Sequence, residues 1–305
     1  GAAVELGTSG ERLAGHQPAA GDDAEDAQVR RGTRERLHRI GEAVGHHPVG
    51  DAGEGLDRCG ELRADRRELV AGRVRVNGEV VTELGSRIDP ETDLVDVDGV
   101  AVQLDTSKRY VILNKPTGVL STMNDDRGRP DLRRFADAWP ERLYNVGRLD
   151  ADTSGLLVLT NDGGLAHVLA HPSFGVTKVY IAKVEGTMTP QTIATLTRGI
   201  ELEDGPIAAD KARLLDSSSG RGGRDGATSL VELTLHSGRN RIVRRMLAAV
   251  GHPVIELVRR QFGPLTLGVL PVGEARELTK VERGALLTLS RDANAGGEHE
   301  EQESQ

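Results

Sequence analysis

The sequence predicts an α+β protein built around a mixed, mostly antiparallel sheet, and three observations carry that expectation. Between about Ser107 and Ser290, strand-like and helix-like runs are interspersed without the regular β-α-β order that a parallel sheet requires. The strand-like runs are bounded by Gly, Pro, Asn and Asp turn signals. The helix-like runs are short, and several carry their own start or stop residue.

Residues 1 to about 60 are rich in Gly, Ala, His and Asp and show no sustained apolar period, so they are expected to be disordered. From Ala64 the text reads as a short basic helix, then a strand with Val74 and Val76 on one face. Asn77-Gly78 marks a tight hairpin turn into a second strand, Glu79 to Thr82. Leu94, Val95 and Val97 supply further apolar strand text, and Asp98-Gly99 marks a second turn. After these, Tyr110 to Leu113 is an apolar strand that breaks at Pro116-Thr117-Gly118, and Leu156 to Leu159 is a buried strand. Asp162 to His171 reads as a helix whose Leu165, Val168 and Leu169 share a face. Strands are expected at Lys178 to Val184, Ala209 to Leu215 and Leu230 to Leu235. Helices are expected at Thr189 to Arg198, with Pro190 in its first turn, and at Asn240 to Val250, closed by Gly251. The glycine-rich stretch 217 to 229 has no hydrophobic anchor and is expected to be a mobile surface loop.

The net charge of −8 argues against a polyphosphate partner, but it is unevenly distributed. Between His236 and Arg260 six arginines, at 239, 241, 244, 245, 259 and 260, face Glu256 alone. The acid is concentrated instead in Asp22 to Asp26 and in Glu298, Glu300, Glu301 and Glu303. The surface presented to a partner is therefore expected to be basic. Cys59 is the only cysteine, which leaves no intramolecular disulfide and no cysteine-based zinc site. His171, His236 and His252 match no metal-ligand spacing and are read as structural. No run approaches the ~20 apolar residues of a membrane span, and no basic-then-apolar leader opens the chain, so a cytoplasmic protein is expected.

The most informative stretch is Gly147-Arg148-Leu149-Asp150-Ala151-Asp152-Thr153-Ser154-Gly155, which runs directly into the buried strand. A polar loop held by an apolar strand is where a reactive carboxylate is best positioned. An ordinary Asp-rich turn is the plain alternative for these residues alone.

The wording Gly147 to Gly163 resembles the signature of pseudouridine synthases, in the ribosomal RNA branch of the RsuA/RluB type. Three further segments match in order: Asn114 to Gly118, His171 to Tyr180 and Gly238 to Met246. One departure is Ile242, where the branch carries Gln, and altered packing is expected there. Gly72 to Gly78 and Val95 to Gly99 resemble the C-terminal part of an S4-type RNA-binding domain. Composition predicts a disordered or atypical segment at 1–62 and a disordered acidic tail at 291–305, and the resemblance implies a partial S4-like module at 63–106 and a catalytic domain of pseudouridine synthase type at 107–290.

The implied activity is isomerisation of a specific uridine to pseudouridine in ribosomal RNA, the large-subunit RNA slightly favoured, with no cofactor. Asp150 would be the catalytic carboxylate, either attacking covalently or acting as a base at the ribose 2′ carbon. Arg244 is expected to be the cation that keeps it ionised, and Tyr180 to pack against the flipped uracil. Arg148 is expected to brace the gap left by the extruded base, with a structural salt bridge as its alternative. Lys178, Arg239, Arg241, Arg245, Arg259 and Arg260 are expected to hold RNA, as are Arg66, Arg67, Arg73 and Arg75 of the small module. The expected partner is ribosomal RNA or an assembling subunit, met by a monomer. A non-catalytic RNA-binding assembly factor on the same scaffold is the competing function, and a glycosidase using Asp150 and Asp152 ranks below both.

Overall fold

In the computed structural model, residues 60–61, 69–83, 86–89, 93–218 and 226–303 are described. The strands in chain order are β1 (Gly60–Glu61), β2 (Val74–Val76), β3 (Glu79–Val80), β4 (Arg87–Ile88), β5 (Val95–Val97), β6 (Val100–Ala101), β7 (Tyr110–Lys115), β8 (Tyr144–Val146) and β9 (Ser154–Thr160). They continue as β10 (Lys178–Glu185), β11 (Ile200–Leu202), β12 (Gly205–Ile207), β13 (Lys211–Ser218), β14 (Thr228–Leu235), β15 (Val254–Phe262), β16 (Leu265–Thr266) and β17 (Ala275–Glu277). The helices are α1 (Arg133–Ala136), α2 (Gly163–Ala170), α3 (Pro190–Arg198), α4 (Ile242–Ala249) and α5 (Lys280–Glu303).

The α+β expectation holds. A nine-stranded sheet runs in the order β13-β14-β10-β15-β9-β7-β17, with β16 beside β15 and β8 beside β9. All its pairings are antiparallel except β15 with β9, which run parallel through Ser154↔Val258 and Gly155↔Arg259. β7 is buried along its whole length and β9 from Gly155 onward, as expected of central strands covered on both faces. β14 alternates buried and partly exposed residues, so one face meets the core and the other faces water.

Local signals explain the helices. Asp162 caps α2 by accepting from the Leu165 N–H, and Thr189 caps α3 by accepting from Thr192. Leu165, Val168 and Leu169 are all buried, as their shared face requires. Ile242 lies in the cluster formed by Val231, Leu233, Val243, Met246 and Leu247, where a side-chain amide would face apolar neighbours. The Ile at this position is therefore part of the core.

A smaller sheet, β3-β2-β5-β6, precedes the large one. Asn77 and Gly78 have φ of 52° and 86°, Asp98 and Gly99 of 54° and 81°, so both turns take the paired left-handed conformation their sequences demand. One detail differs from the alternating pattern: Leu94 is half exposed, whereas Asp96 is buried and paired with Arg75 and Arg291. Apolar alternation assigned the face by residue type and missed that a doubly paired carboxylate can point inward.

The acidic C-terminal segment also departs from expectation, because α5 continues to Glu303. Its start is fixed by a reciprocal cap, with Glu282 accepting from the Thr279 N–H at 2.8 Å and Thr279 Oγ1 accepting from the Glu282 N–H at 3.3 Å. Ala, Glu and Gln downstream are good helix formers, and an anchored helix propagates more cheaply than it nucleates. Its first turns also hold the small sheet: Thr288 Oγ1 accepts from the Ala101 N–H at 2.9 Å, and Arg291 pairs with Asp96 at 3.1 Å. The expected loop at 217 to 229 is shorter than its composition suggested, since Ser217 pairs with Ser229 and Ser218 with Thr228. Residues 1–59, together with Arg66 and Arg67, lie outside the described residues. Among the described residues no helix is long and apolar enough to cross a membrane.

Candidate active site

Asp150 stands on the loop that leads into β9, on the ridge between two cavities that it lines. One, of about 380 Å³, is lined by Asp150, Tyr180, Lys178, Arg259 and Phe262 among others. The other, of about 600 Å³, is lined by the Asn124 to Arg127 loop together with Arg148, Asp150 and Arg241. The first lies within the ~300–1,000 Å³ range of small-molecule sites.

The loop carrying Asp150 is fixed by its backbone rather than by the carboxylate. Ser121 Oγ donates to the Leu149 carbonyl at 2.6 Å and accepts from the Leu149 N–H at 3.0 Å. The Gly118 N–H donates to the Ala151 carbonyl at 2.7 Å, the Thr153 N–H to the Asp150 carbonyl at 3.0 Å, and Arg244 Nη2 to the Asp152 carbonyl at 2.8 Å. The side chain of Asp150, about a third exposed, is thus left available on a rigid support.

Its cation is Arg241, whose Nη1 lies 3.6 Å from Asp150 Oδ2. This corrects the expectation for Arg244. Arg244 reaches across to the loop backbone and to Asp152 Oδ2 at 3.4 Å, so it anchors the loop instead of pairing with Asp150. Arg241 also holds Asp152 through two hydrogen bonds of 3.0 and 2.8 Å, and these keep the Asp152 carboxyl below the usual carboxylate range. Arg241 itself has φ of 47° at the head of α4, an unusual left-handed conformation for a residue other than glycine.

The expected phosphate cluster divides. Arg245 is held by Asp204, with Nη1 at 2.9 Å, and Arg239 lies 3.7 Å from the same carboxylate. Asp204 sits in the turn between β11 and β12, so the acid that a local count found missing arrives from another part of the chain. Arg259 is buried and unavailable to a surface phosphate. Arg260 is exposed and donates to the Gly268 carbonyl at 3.1 Å. In the small sheet Arg73 pairs with Asp98 and Arg75 with Asp96, both partly exposed. Arg148 is exposed, lines both cavities and forms no salt bridge among the described residues, which removes its structural alternative. The three histidines each find local partners: Ser173 for His171, Asp210 for His236 and the Glu185 carbonyl for His252. Among the described residues no group of three candidate metal ligands occurs.

Two residues had a signal in the sequence that was not followed. Lys115, in the Asn114 to Gly118 segment, is completely buried and donates to the carbonyls of Pro116 at 2.9 Å and Val119 at 2.7 Å. Burial pulls its pKa down to about 8, while the charges of Asp150 and Asp152 resist that shift. Gly155 has φ of 111°, and a Cβ there would lie 2.3 Å from the Arg259 carbonyl oxygen. Only glycine permits the parallel contact of β9 with β15 at this point.

The depressed pKa of Lys115 has two consequences of opposite sign. Between about pH 8 and the ordinary lysine value of 10.5 the unfolded chain binds more protons, so this residue's contribution to stability rises with pH. Below that window its buried charge opposes folding. The positive charge beside Asp150, however, is lost as pH climbs through about 8. We expect single-turnover activity to fall through that range, and Lys115→Met to be slow throughout with no such limb. Denaturant unfolding from pH 7 to 10.5 should show the parent gaining stability relative to Lys115→Met, and parallel profiles would refute it.

The RNA pseudouridylate synthase family model matches residues 109–249. An uncharacterised RNA pseudouridine synthase of Mycobacterium tuberculosis is 50% identical over 227 residues, covering 73% of this chain and 87% of its own. Ribosomal large subunit pseudouridine synthase B of Bacillus subtilis is 44% identical over 229 residues, covering 75% and 91%. A crystal structure of a pseudouridylate synthase superposes with a TM-score of 0.50 at 30% identity, over 73% of this chain and 91% of the other.

Proposed function

The chain belongs to the RNA pseudouridylate synthase family, and we propose that it converts a specific uridine of ribosomal RNA to pseudouridine with Asp150 as the catalytic carboxylate. The observation that carries this reading is the one carboxylate among the described residues that lines both cavities, held on a braced loop with Arg241 beside it. Ribosomal RNA is favoured because relatives in Bacillus subtilis and Pseudomonas aeruginosa bear the name ribosomal large subunit pseudouridine synthase B. Large-subunit RNA follows from the same names, and a cytoplasmic monomer acting on RNA or an assembling subunit completes the reading.

The reaction breaks the bond from uracil N1 to the ribose and remakes it at C5. Stacked in RNA, the target bond is out of reach, so the nucleotide must first be extruded. Arg148, exposed at the shared mouth of both cavities, supports the role of bracing the vacated stack. Arg239, Arg241 and Arg260 keep enough exposure to meet the backbone, while Arg245 would have to share its guanidinium with Asp204. Tyr180, on β10 at the cavity wall, supports packing against the extruded base. The small sheet with its paired left-handed turns supports reading residues 63–106 as an S4-like module that captures RNA.

Tritium release from C5-labelled uridine in ribosomal RNA transcripts tests the activity, and mapping pseudouridine in cells lacking the protein tests the address. One missing site is expected, and an unchanged map would overturn the assignment to ribosomal RNA. Arg148→Ala is expected to weaken RNA binding and to flatten the slope of log affinity against log salt by about one. An unchanged slope over a salt series would return Arg148 to a surface residue.

A further inference from the structure

The floor of the smaller cavity holds two buried cations with no anion. Lys178 is 8% exposed and Arg259 is 3% exposed, and neither lies within ion-pair distance of a carboxylate among the described residues. They occupy neighbouring strands, since β10 pairs with β15 through Lys178↔Phe262 and Tyr180↔Arg259. Both lie against the Phe262 ring, Lys178 Nζ at 5.5 Å from its centre and the Arg259 guanidinium carbon at 4.8 Å. Lys178 Nζ donates to the His236 carbonyl at 3.3 Å, and Arg259 Nε to the Leu156 carbonyl at 2.8 Å. Arg259 Nη2 is buried with no hydrogen-bond partner at all.

Such an arrangement is costly in isolation. Buried charges are ordinarily paired, and removing a partner from a buried ion costs several kcal/mol. Burial first, and then the charge of Arg259, depresses the proton affinity of Lys178. A site that keeps two like charges out of water is built for an anion that is not part of the protein.

Depth identifies the anion. Phosphates flank a ribose on its outer side, where exposed Arg148 and partly exposed Arg239 and Arg241 stand. Asp150 on the ridge is placed for the sugar, and beyond the sugar lies the base. Resting on the reading that this chain isomerises uridine, we propose that Lys178 and Arg259 neutralise the uracil anion released when the glycosidic bond breaks. The N1–C1′ bond opens with its electron pair left on the base, and that charge spreads over N1, O2 and O4. Rejoining uses an electron pair of the base to form C5–C1′, after which C5 loses its proton and N1 gains one, so no oxidant or reductant enters. The account is the same whether Asp150 attacks C1′ or takes and returns the 2′ proton. Two cations and a ring face also suit a base that must turn before it rejoins. Directional hydrogen-bond donors alone would hold one edge, whereas the net charge of a cation pair attracts the anion whichever edge it presents.

The test measures single-turnover rates at saturating enzyme on RNA carrying either uridine or 5-fluorouridine at the target, by tritium release and by chromatographic loss of the fluorinated nucleotide. Fluorine stabilises the departing anion, so it lessens the need for cations. Lys178→Gln and Arg259→Gln are expected to lose about 10²-fold or more on uridine with RNA affinity unchanged. On 5-fluorouridine the loss should shrink to about 10-fold. Lys178→Arg and Arg259→Lys keep the charge and should behave more like the parent on both substrates. Should Arg259→Gln fail to fold, the ratio between substrates in Lys178→Gln decides the matter. Equal losses on both substrates in an active background overturn the proposal, as does a defect confined to affinity with a salt slope changed by about one, which would mark phosphate contacts. A parent that consumes neither substrate overturns the isomerase reading and this proposal with it.

Discussion

Asp150→Asn should fold, bind RNA nearly as the parent does, and lose isomerisation by about 10³-fold or more. Folding is spared because the loop is held through the backbone of Leu149, Ala151 and Asp152, and none of those bonds uses the Asp150 carboxylate. Arg241 is not stranded by the change, since it keeps both bonds to Asp152. The amide retains the shape of the side chain but can neither attack the sugar nor accept a proton at neutral pH. Tritium release and thermal unfolding on the same preparation separate the effects. A folded Asn variant turning over at the parental rate would remove Asp150 from the chemistry.

Gly155→Ala should be the most damaging single-atom-scale change in the catalytic domain. The added methyl would lie 2.3 Å from the Arg259 carbonyl oxygen and 2.6 Å from its amide nitrogen, and both are backbone atoms that cannot rotate away. Positive φ adds strain of its own. A loss of about 3 kcal/mol or more follows, lowering the melting temperature by roughly 10 °C in a domain of this size. Gly147→Ala supplies the comparison: φ there is 66°, but nothing lies within 4 Å of a Cβ, so only the strain of about 1–2 kcal/mol applies. Equal melting temperatures for the two variants would show that β9 and β15 separate without cost.

What could be read from the chain divides along sequence distance. Features set by a few adjacent residues were legible: the turns at Asn77-Gly78 and Asp98-Gly99, the Thr189 cap with Pro190 behind it, and the polar loop delivering Asp150 to a buried strand. Features set by pairing across the fold were not. Arg245 and Arg239 read as unpaired cations free to hold RNA because Asp204 is remote in the sequence, and the pairing of Asp150 with Arg241 likewise joins residues far apart in the chain. Nothing local distinguishes Arg259, buried beneath the cavity, from Arg260, exposed beside it, except the alternation of a strand whose neighbours were unknown. Lys115 could have been suspected from its place in the Asn114 to Gly118 segment. Its burial, however, depends on carbonyls presented by the turn that follows.

The parallel pairing of β9 with β15 has a consequence for how the protein gains and loses activity. It joins residues 104 positions apart, as at Gly155 and Arg259, and is, among the described residues, the one strand pairing that links two antiparallel sub-sheets, β9-β7-β17 and β13-β14-β10-β15. Asp150 lies on the loop leading into the first half-sheet, and Tyr180, Lys178 and Arg259 lie on strands of the second, so neither half contains a working centre. Because the long intervening loop must close before this contact rewards it, the centre is expected to assemble late in folding. The seam is also short, two residue pairs against eight between β10 and β14. Mild denaturant should therefore abolish turnover while most hairpin amides are still protected from hydrogen exchange, so inactivation runs ahead of unfolding.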